Sequence, residues 1–212
     1  MTFPDRRAAG RDLGRALAVL DPSDPVVLGL PRGGVPVAFE VAARLGCPFD
    51  VLVVRKLGLP RQTELAMGSV GEGGVVVRNH EVIDLAGVDD DTFERVLEVE
   101  RKALRDRVES YRARAQPEEI AGRTAIVVDD GLATGSTARA ALEVVRQRDA
   151  AETWLAVPVA PRDTAEQMKS AADRVVVLES PRRFGAVGAW YGDFSQTSDE
   201  EVRSLLAEAR LA

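Results

Sequence analysis

The sequence predicts an α/β fold, an open and mostly parallel sheet flanked by helices. Three observations predict it. A strand, a glycine turn, a helix and a second strand follow one another over residues 25–54, a βαβ unit that implies a parallel sheet with right-handed crossovers. The run Thr124-Ala125-Ile126-Val127-Val128 is apolar throughout, as a central strand buried on both faces requires. Strand and helix patterns then alternate as far as residue 178.

The elements follow in order. Residues 5–20 carry Leu13, Leu17 and Leu20 at helical spacing, and Asp21-Pro22-Ser23-Asp24-Pro25 breaks that helix. A short apolar strand over 25–30 stops at Pro31-Arg32-Gly33-Gly34, a helix runs from Val35 to Leu45, and a buried strand over 50–54 ends at Arg55-Lys56. Residues 57–74 are rich in Gly and polar residues and read as a long loop, a length usual for functional lids. Residues 75–77 and 82–85 read as the strands of a short hairpin. A charged helix over 91–115 has Phe93, Val96, Leu97, Leu104 and Val108 along one side. The strand over 124–130 is followed by a helix over 136–147. Residues 153–159, 163–171 and 174–178 continue as strand, helix and strand. An irregular segment over 179–198 holds Phe184, Trp190, Tyr191 and Phe194, and a last helix covers 199–209. With no internal repeat, this is one domain over 1–212, carrying a flexible loop plus inserted hairpin and helix at 57–118.

Composition narrows the chemistry. With 212 residues and a 45% hydrophobic share, an ordinary core is available. A net charge of −6 argues against nucleic acid as a partner. Cys47 is the only cysteine, so no internal disulfide forms and a reducing compartment fits. The first dozen residues are charged, and no apolar run reaches the ~18 residues that span a membrane. A cytoplasmic protein without a membrane partner is expected. His80 is the sole histidine, which excludes a multi-histidine metal site. It reads as a surface turn residue, and Cys47 as a small buried filler. Neither a Walker A sequence nor a Gly-x-Gly-x-x-Gly fingerprint is present.

Asp129 and Asp130 stand where the 124–128 strand ends, and open α/β sheets bind ligands at the carboxyl ends of their strands. Gly131 and Gly135 permit close backbone approach. Thr134, Ser136 and Thr137 bring hydroxyls to a helix start with free amides and a positive dipole end, which suits a phosphate. Two aspartates repel that phosphate and fit better a few ångströms away, on sugar hydroxyls or a hydrated Mg2+ ion.

The whole run resembles the signature of type I phosphoribosyltransferases over about a dozen residues: an apolar strand, two acidic residues, two small or apolar ones, then Ala or Asp, Thr, Gly and a hydroxyl-rich helix start. The resemblance implies that family's fold, with a hood over 179–198, and 5-phosphoribosyl 1-pyrophosphate (PRPP) as ligand with Mg2+ as cofactor. It implies that Asp129 and Asp130 hold the ribose hydroxyls, directly or through the metal, and act in catalysis. Ala133, Thr134, Gly135, Ser136 and Thr137 correspond to the 5-phosphate loop. Ala133 stands where hypoxanthine-guanine enzymes carry an aspartate, and the Ala-Thr-Gly form is closer to adenine phosphoribosyltransferases.

Other turns extend the resemblance. Arg32-Gly33-Gly34 is similar to the pyrophosphate loop of xanthine phosphoribosyltransferases, with Arg32 able to fork onto phosphate and the glycines presenting amides. Arg55 and Lys56 resemble an Arg-Lys pair near the pyrophosphate. The 57–74 stretch lies where the family has a mobile loop, with Glu64 as candidate general acid/base. Phe184 lies where hypoxanthine-type enzymes stack the purine, and Asp193 resembles a second metal-contacting aspartate. Trp190, Tyr191 and Phe194 either line the base pocket or anchor their segment to the core, and anchoring is the preferred reading. The resulting expectation is a purine-salvage type of transferase that ribosylates a nitrogen nucleophile, a nucleobase by this resemblance, and releases pyrophosphate, working as a homodimer. The alternatives are a regulatory module that binds PRPP or a nucleotide without chemistry, and a phosphorylase-like or hydrolytic activity.

Overall fold

A computed structural model describes residues 3–60, 62–112 and 116–211, apart from the side chains of Thr63 and Glu64. Helix α1 (Arg6–Ala18) starts at Asp5, whose carboxylate accepts from the Ala8 amide at 2.7 Å. Strand β1 (Pro25–Gly29) leads through the 31–33 turn into α2 (Gly34–Leu45), and β2 (Phe49–Val51) follows. Gly10 and Gly14 let α1 lie close on α2: a Cβ on Gly10 would stand 2.6 Å from Val37 O, and one on Gly14 2.9 Å from Arg44 Cβ.

Strands β6 (Thr124–Val128), β7 (Glu152–Val159) and β8 (Arg174–Glu179) complete a parallel sheet, joined by α5 (Ser136–Arg146) and α6 (Arg162–Met168). Its order is β2-β1-β6-β7-β8. Both faces of the central strand are covered. Ile126 and Val128 pack into the core that includes α2, while Ala125 and Val127 pack into the one that includes α5. Because β1 sends the chain one way along the sheet and β6 the other, their carboxyl ends form a topological switch point, where such sheets bind ligands. Helix α7 (Asp199–Ala209) closes the α2 face. The open parallel α/β fold expected from sequence is the fold observed.

Residues between β2 and β6 differ from expectation. The 57–74 stretch is not a loop: β3 (Val54–Leu59), β4 (Gln62–Gly71) and β5 (Val76–Arg78) form a separate antiparallel sheet. Register shifts on either side of Gly58 break the two-residue period that marks a strand. Residues 82–85 are not a strand either. They belong to α3 (His80–Ala86), capped by Asn79 Oδ1, which accepts from the Val82 amide, and ended by Gly87 at φ 62°. His80 opens that helix and is exposed, and Cys47 is only half-buried.

The charged helix α4 (Asp90–Arg112) covers this small sheet and is tied to the large one by Arg112. Its guanidinium is buried with Asp50 and Glu72, donating to Asp50 Oδ1 at 2.9 Å, to Val51 O at 2.5 Å and to Glu72 Oε2. Asp50 also accepts from the Glu118 amide and Glu72 from the Val53 amide, so the network is well satisfied. Among the described residues, no helix is long and apolar enough to cross a membrane.

Candidate functional site

The turns after β1 and β6 meet at the switch point. Leu30 N donates to Val128 O at 2.8 Å, which draws the 31–34 turn against the acidic pair. That approach requires glycine. A Cβ on Gly33 would stand 2.7 Å from Asp130 Cγ, and one on Gly34 2.8 Å from Asp129 Cα. The Gly34 amide is committed to Leu30 O at 3.0 Å, so Gly34 supplies room rather than a donor.

Asp129 Oδ1 accepts from the Asp130 amide at 2.9 Å. Asp130 Oδ2 accepts from Arg6 Nε at 2.9 Å. Burial first, and the Asp130 charge second, push the Asp129 carboxyl well above the usual aspartate range. Asp130 is raised by burial too, with Arg6 pulling it down. The Arg6 guanidinium lies 3.9 Å from the centre of the Phe194 ring and donates to Ser195 O at 2.7 Å. Tyr191 Oη donates to Asp130 O at 2.5 Å. The acidic pair is therefore clasped from behind by the chain start and the 179–198 segment, which are joined by the Phe3–Tyr191 bridge.

Arg6 carries no local signal of this role in the sequence. It reads as one of several arginines on an amphipathic helix, and only the fold brings residues 6 and 130 together. Tyr191 was expected as an anchor and is one.

The 131–137 turn is open where α5 begins. Gly135 adopts φ 72°, the Thr134 and Ser136 hydroxyls lie 3.2 Å apart, and Ala133, Thr134 and Thr137 are exposed. The first-turn amides of α5 have no acceptor within the helix, Ser136 N donating weakly to Thr134 Oγ1 at 3.4 Å, and the positive end of the helix dipole lies there. Thr164 Oγ1 donates to Ala133 O at 3.0 Å and fixes the turn to α6.

Arg55 and Lys56 are neighbours in β3, not a strand-end pair, and the pleat turns them to opposite faces. Arg55 Nε donates to Glu100 Oε2 of α4 at 2.7 Å. Lys56 Nζ donates to Ser136 Oγ at 3.3 Å, at the 131–137 turn. Arg32 reaches Asp199 at 3.9 Å, where Arg107 and Tyr111 also bind.

Among the described residues, two further expected ones make no hydrogen bond or ion pair with the acidic pair. Phe184 packs half-buried in a small cluster with Phe3, Val159 and Tyr191, and its carbonyl accepts from Trp190 Nε1. Asp193 is exposed and accepts from the Ser195 amide at 2.8 Å, which with the Arg6 charge holds its carboxyl low. The Glu64 side chain lies outside the described residues.

The fold and its two turns define an α/β domain with an anion-binding helix start beside an acidic pair. A model of the phosphoribosyl transferase domain matches residues 7–189, and the chain belongs to that family. It is 48% identical, over 212 residues, to proteins of two Mycobacterium tuberculosis strains, H37Rv and CDC 1551, each provisionally named a phosphoribosyl transferase. That alignment covers 98% of this chain and 47% of the relatives, so the chain spans about half their length. The crystal structure of the TT1426 protein from Thermus thermophilus superposes with a TM-score of 0.92 at 47% identity, covering 98% of this chain and 99% of that one.

Proposed function

We propose that the domain binds PRPP with Mg2+ and transfers its ribosyl 5-phosphate to a nitrogen nucleophile of the nucleobase class, releasing pyrophosphate. One observation carries the reading. The 131–137 turn and the 31–34 turn, each suited to an anion, are packed on either side of a half-buried acidic pair at the switch point. A donor with phosphate at one end, pyrophosphate at the other and hydroxyls between matches that sequence of charges.

Each part has a task in this reading. Thr134, Ser136, Thr137 and the amides of the α5 start hold the 5-phosphate, with Lys56 beside Ser136 adding positive charge. Asp129 and Asp130 accept from the ribose hydroxyls and favour the positive charge that develops on the sugar as the pyrophosphate bond breaks. Arg32 leaves its 3.9 Å contact with Asp199 and, with the Gly33 amide, takes the departing pyrophosphate.

The donor set also fits Mg2+. Among the described residues no three acidic, His or Cys side chains form a ready-made cage. Mg2+ is commonly held by one or two carboxylates together with substrate oxygens and water. Asp129 Oδ2 has no hydrogen-bond partner among the described residues, and two crowded carboxyls favour a cation between them and the ligand. When bound, the ion would neutralise pyrophosphate charge.

Calorimetry with PRPP and Mg2+, followed by a panel of bases assayed for pyrophosphate release, tests the proposal. Binding together with base-dependent release is expected. Binding without release on any base would favour a regulatory module, and no binding would refute the donor site.

A further inference from the structure

The hairpin sheet and α5 line a half-open polar cavity of about 490 Å3 beside the 131–137 turn. Strand register explains its lining. Lys56, Ser69 and Val77 stand opposite one another across β3, β4 and β5, so their side chains share the face toward α5. From α5 come Ser136, Arg139 and Glu143, at helical spacing.

Two cations in this lining have no carboxylate partner among the described residues. Lys56 Nζ donates only to the Ser136 hydroxyl, and Arg139 Nη2 only to Gln167 O at 3.4 Å. Ser69 is 2% exposed, lines the same cavity, and its hydroxyl has no hydrogen-bond partner among the described residues. A buried hydroxyl left in that state is costly unless something in the cavity meets it. Arg78, also in the lining, is already held by Asp90 and Glu94 at 2.8 and 2.9 Å. Glu143 also lines the cavity and opposes an anion there; burial raises its carboxyl, against the pull of Arg139 and Arg146, and Lys56, Arg78 and Arg139 outnumber it in the lining.

We propose that this cavity is a second phosphate subsite continuous with the 131–137 turn, so that turn and cavity together take a ribose 5-diphosphate group. The inference rests on reading the turn as the 5-phosphate site. Thr134 and Ser136 belong to both, so two phosphates joined by one oxygen can bridge them without leaving protein contact. The first phosphate keeps the helix-start amides. The second meets Lys56, Arg139 and the Ser69 hydroxyl, which donates to it. A nucleoside 5-diphosphate is the ligand class that fits, and it would compete with PRPP for the turn.

Calorimetry on the whole chain in Mg2+-free buffer tests this with ribose 5-phosphate, AMP against ADP, and GMP against GDP. At least one diphosphate should bind tenfold or more tightly than its monophosphate. The Ser69→Ala/Arg139→Met double variant should lose that gain and keep its ribose 5-phosphate affinity, with Arg139→Met alone, on a partly exposed helix face, losing part of it. Diphosphates no tighter than monophosphates, or a gain that survives in both variants, would overturn the subsite. Failure of ribose 5-phosphate to bind the unmodified chain would instead overturn the reading of the turn, and the subsite with it.

Discussion

Gly33→Ala isolates the contact between the two turns. The new methyl carbon would stand 2.7 Å from Asp130 Cγ and closer still to its Oδ2, a separation at which something must move. What can move is limited. Asp130 is held at Oδ2 by Arg6 at 2.9 Å and at its carbonyl by Tyr191, so rotating the carboxylate breaks the Arg6 pair, while shifting the turn strains the Leu30–Val128 bond. Overpacking of this kind costs about 1–3 kcal/mol of stability. A displaced Asp130 also loses a charged hydrogen bond to ribose, about 1.5–3 kcal/mol, which is about 10- to 150-fold in affinity. Urea unfolding and calorimetry with PRPP and Mg2+ measure the two effects separately. A Gly33→Ala protein that binds PRPP within twofold of the original would refute the claim that this turn and Asp130 share one site.

Other perturbations test neighbouring parts. Lys56→Met should weaken ribose 5-phosphate binding about tenfold, the loss of one charged contact of ~1.4 kcal/mol, whereas Arg55→Met, facing α4, should leave it within twofold. Equal losses would refute the separation by the strand pleat. Arg112→Met strands Asp50 and Glu72 in the interior and should cost about 3–5 kcal/mol in urea unfolding; a loss below 1 kcal/mol would contradict the network's role. For pH, the Asp129 carboxyl of the free protein titrates above the ordinary value of about 3.9. Its contribution to folding is therefore fully present below that value and fades as pH rises through the folded one. Cation and ligand favour the carboxylate, so PRPP binding should strengthen over the same rise and release protons. Calorimetric enthalpies in two buffers of different ionisation enthalpy should differ accordingly, and identical values would contradict this assignment.

The acidic strand end and both glycine turns were legible because each depends on local chemistry. A buried parallel strand needs an unbroken apolar run, a close turn needs glycine, and a helix start exposes amides whatever surrounds it. The small sheet was hidden because its strands carry Gly58, Gly68 and Gly71 and a register shift, and are stabilised by cover from α4 and α5 rather than by their own pattern. The Arg55-Lys56 pair misled for the same reason, since two residues that look contiguous at a strand end part company inside one. Helix α3 was marked by Asn79 and Gly87, but Val82, Ile83 and Leu85 made the segment look strand-like. Arg6 and Arg112 lie beyond local reading altogether. Their partners stand 124 and 62 residues away in the chain, and only the completed fold selects them from the other arginines.

The central claim is that Asp129 and Asp130 hold the ribose of a PRPP-class ligand. Asp129→Asn/Asp130→Asn keeps the size of both side chains and relieves their repulsion, so the fold should persist. Calorimetric titration of that double variant with PRPP and Mg2+, beside a thermal melt, is the most direct test. A cooperative melt with loss of PRPP binding is expected; a folded variant with unchanged affinity would remove the acidic pair from the ribose site.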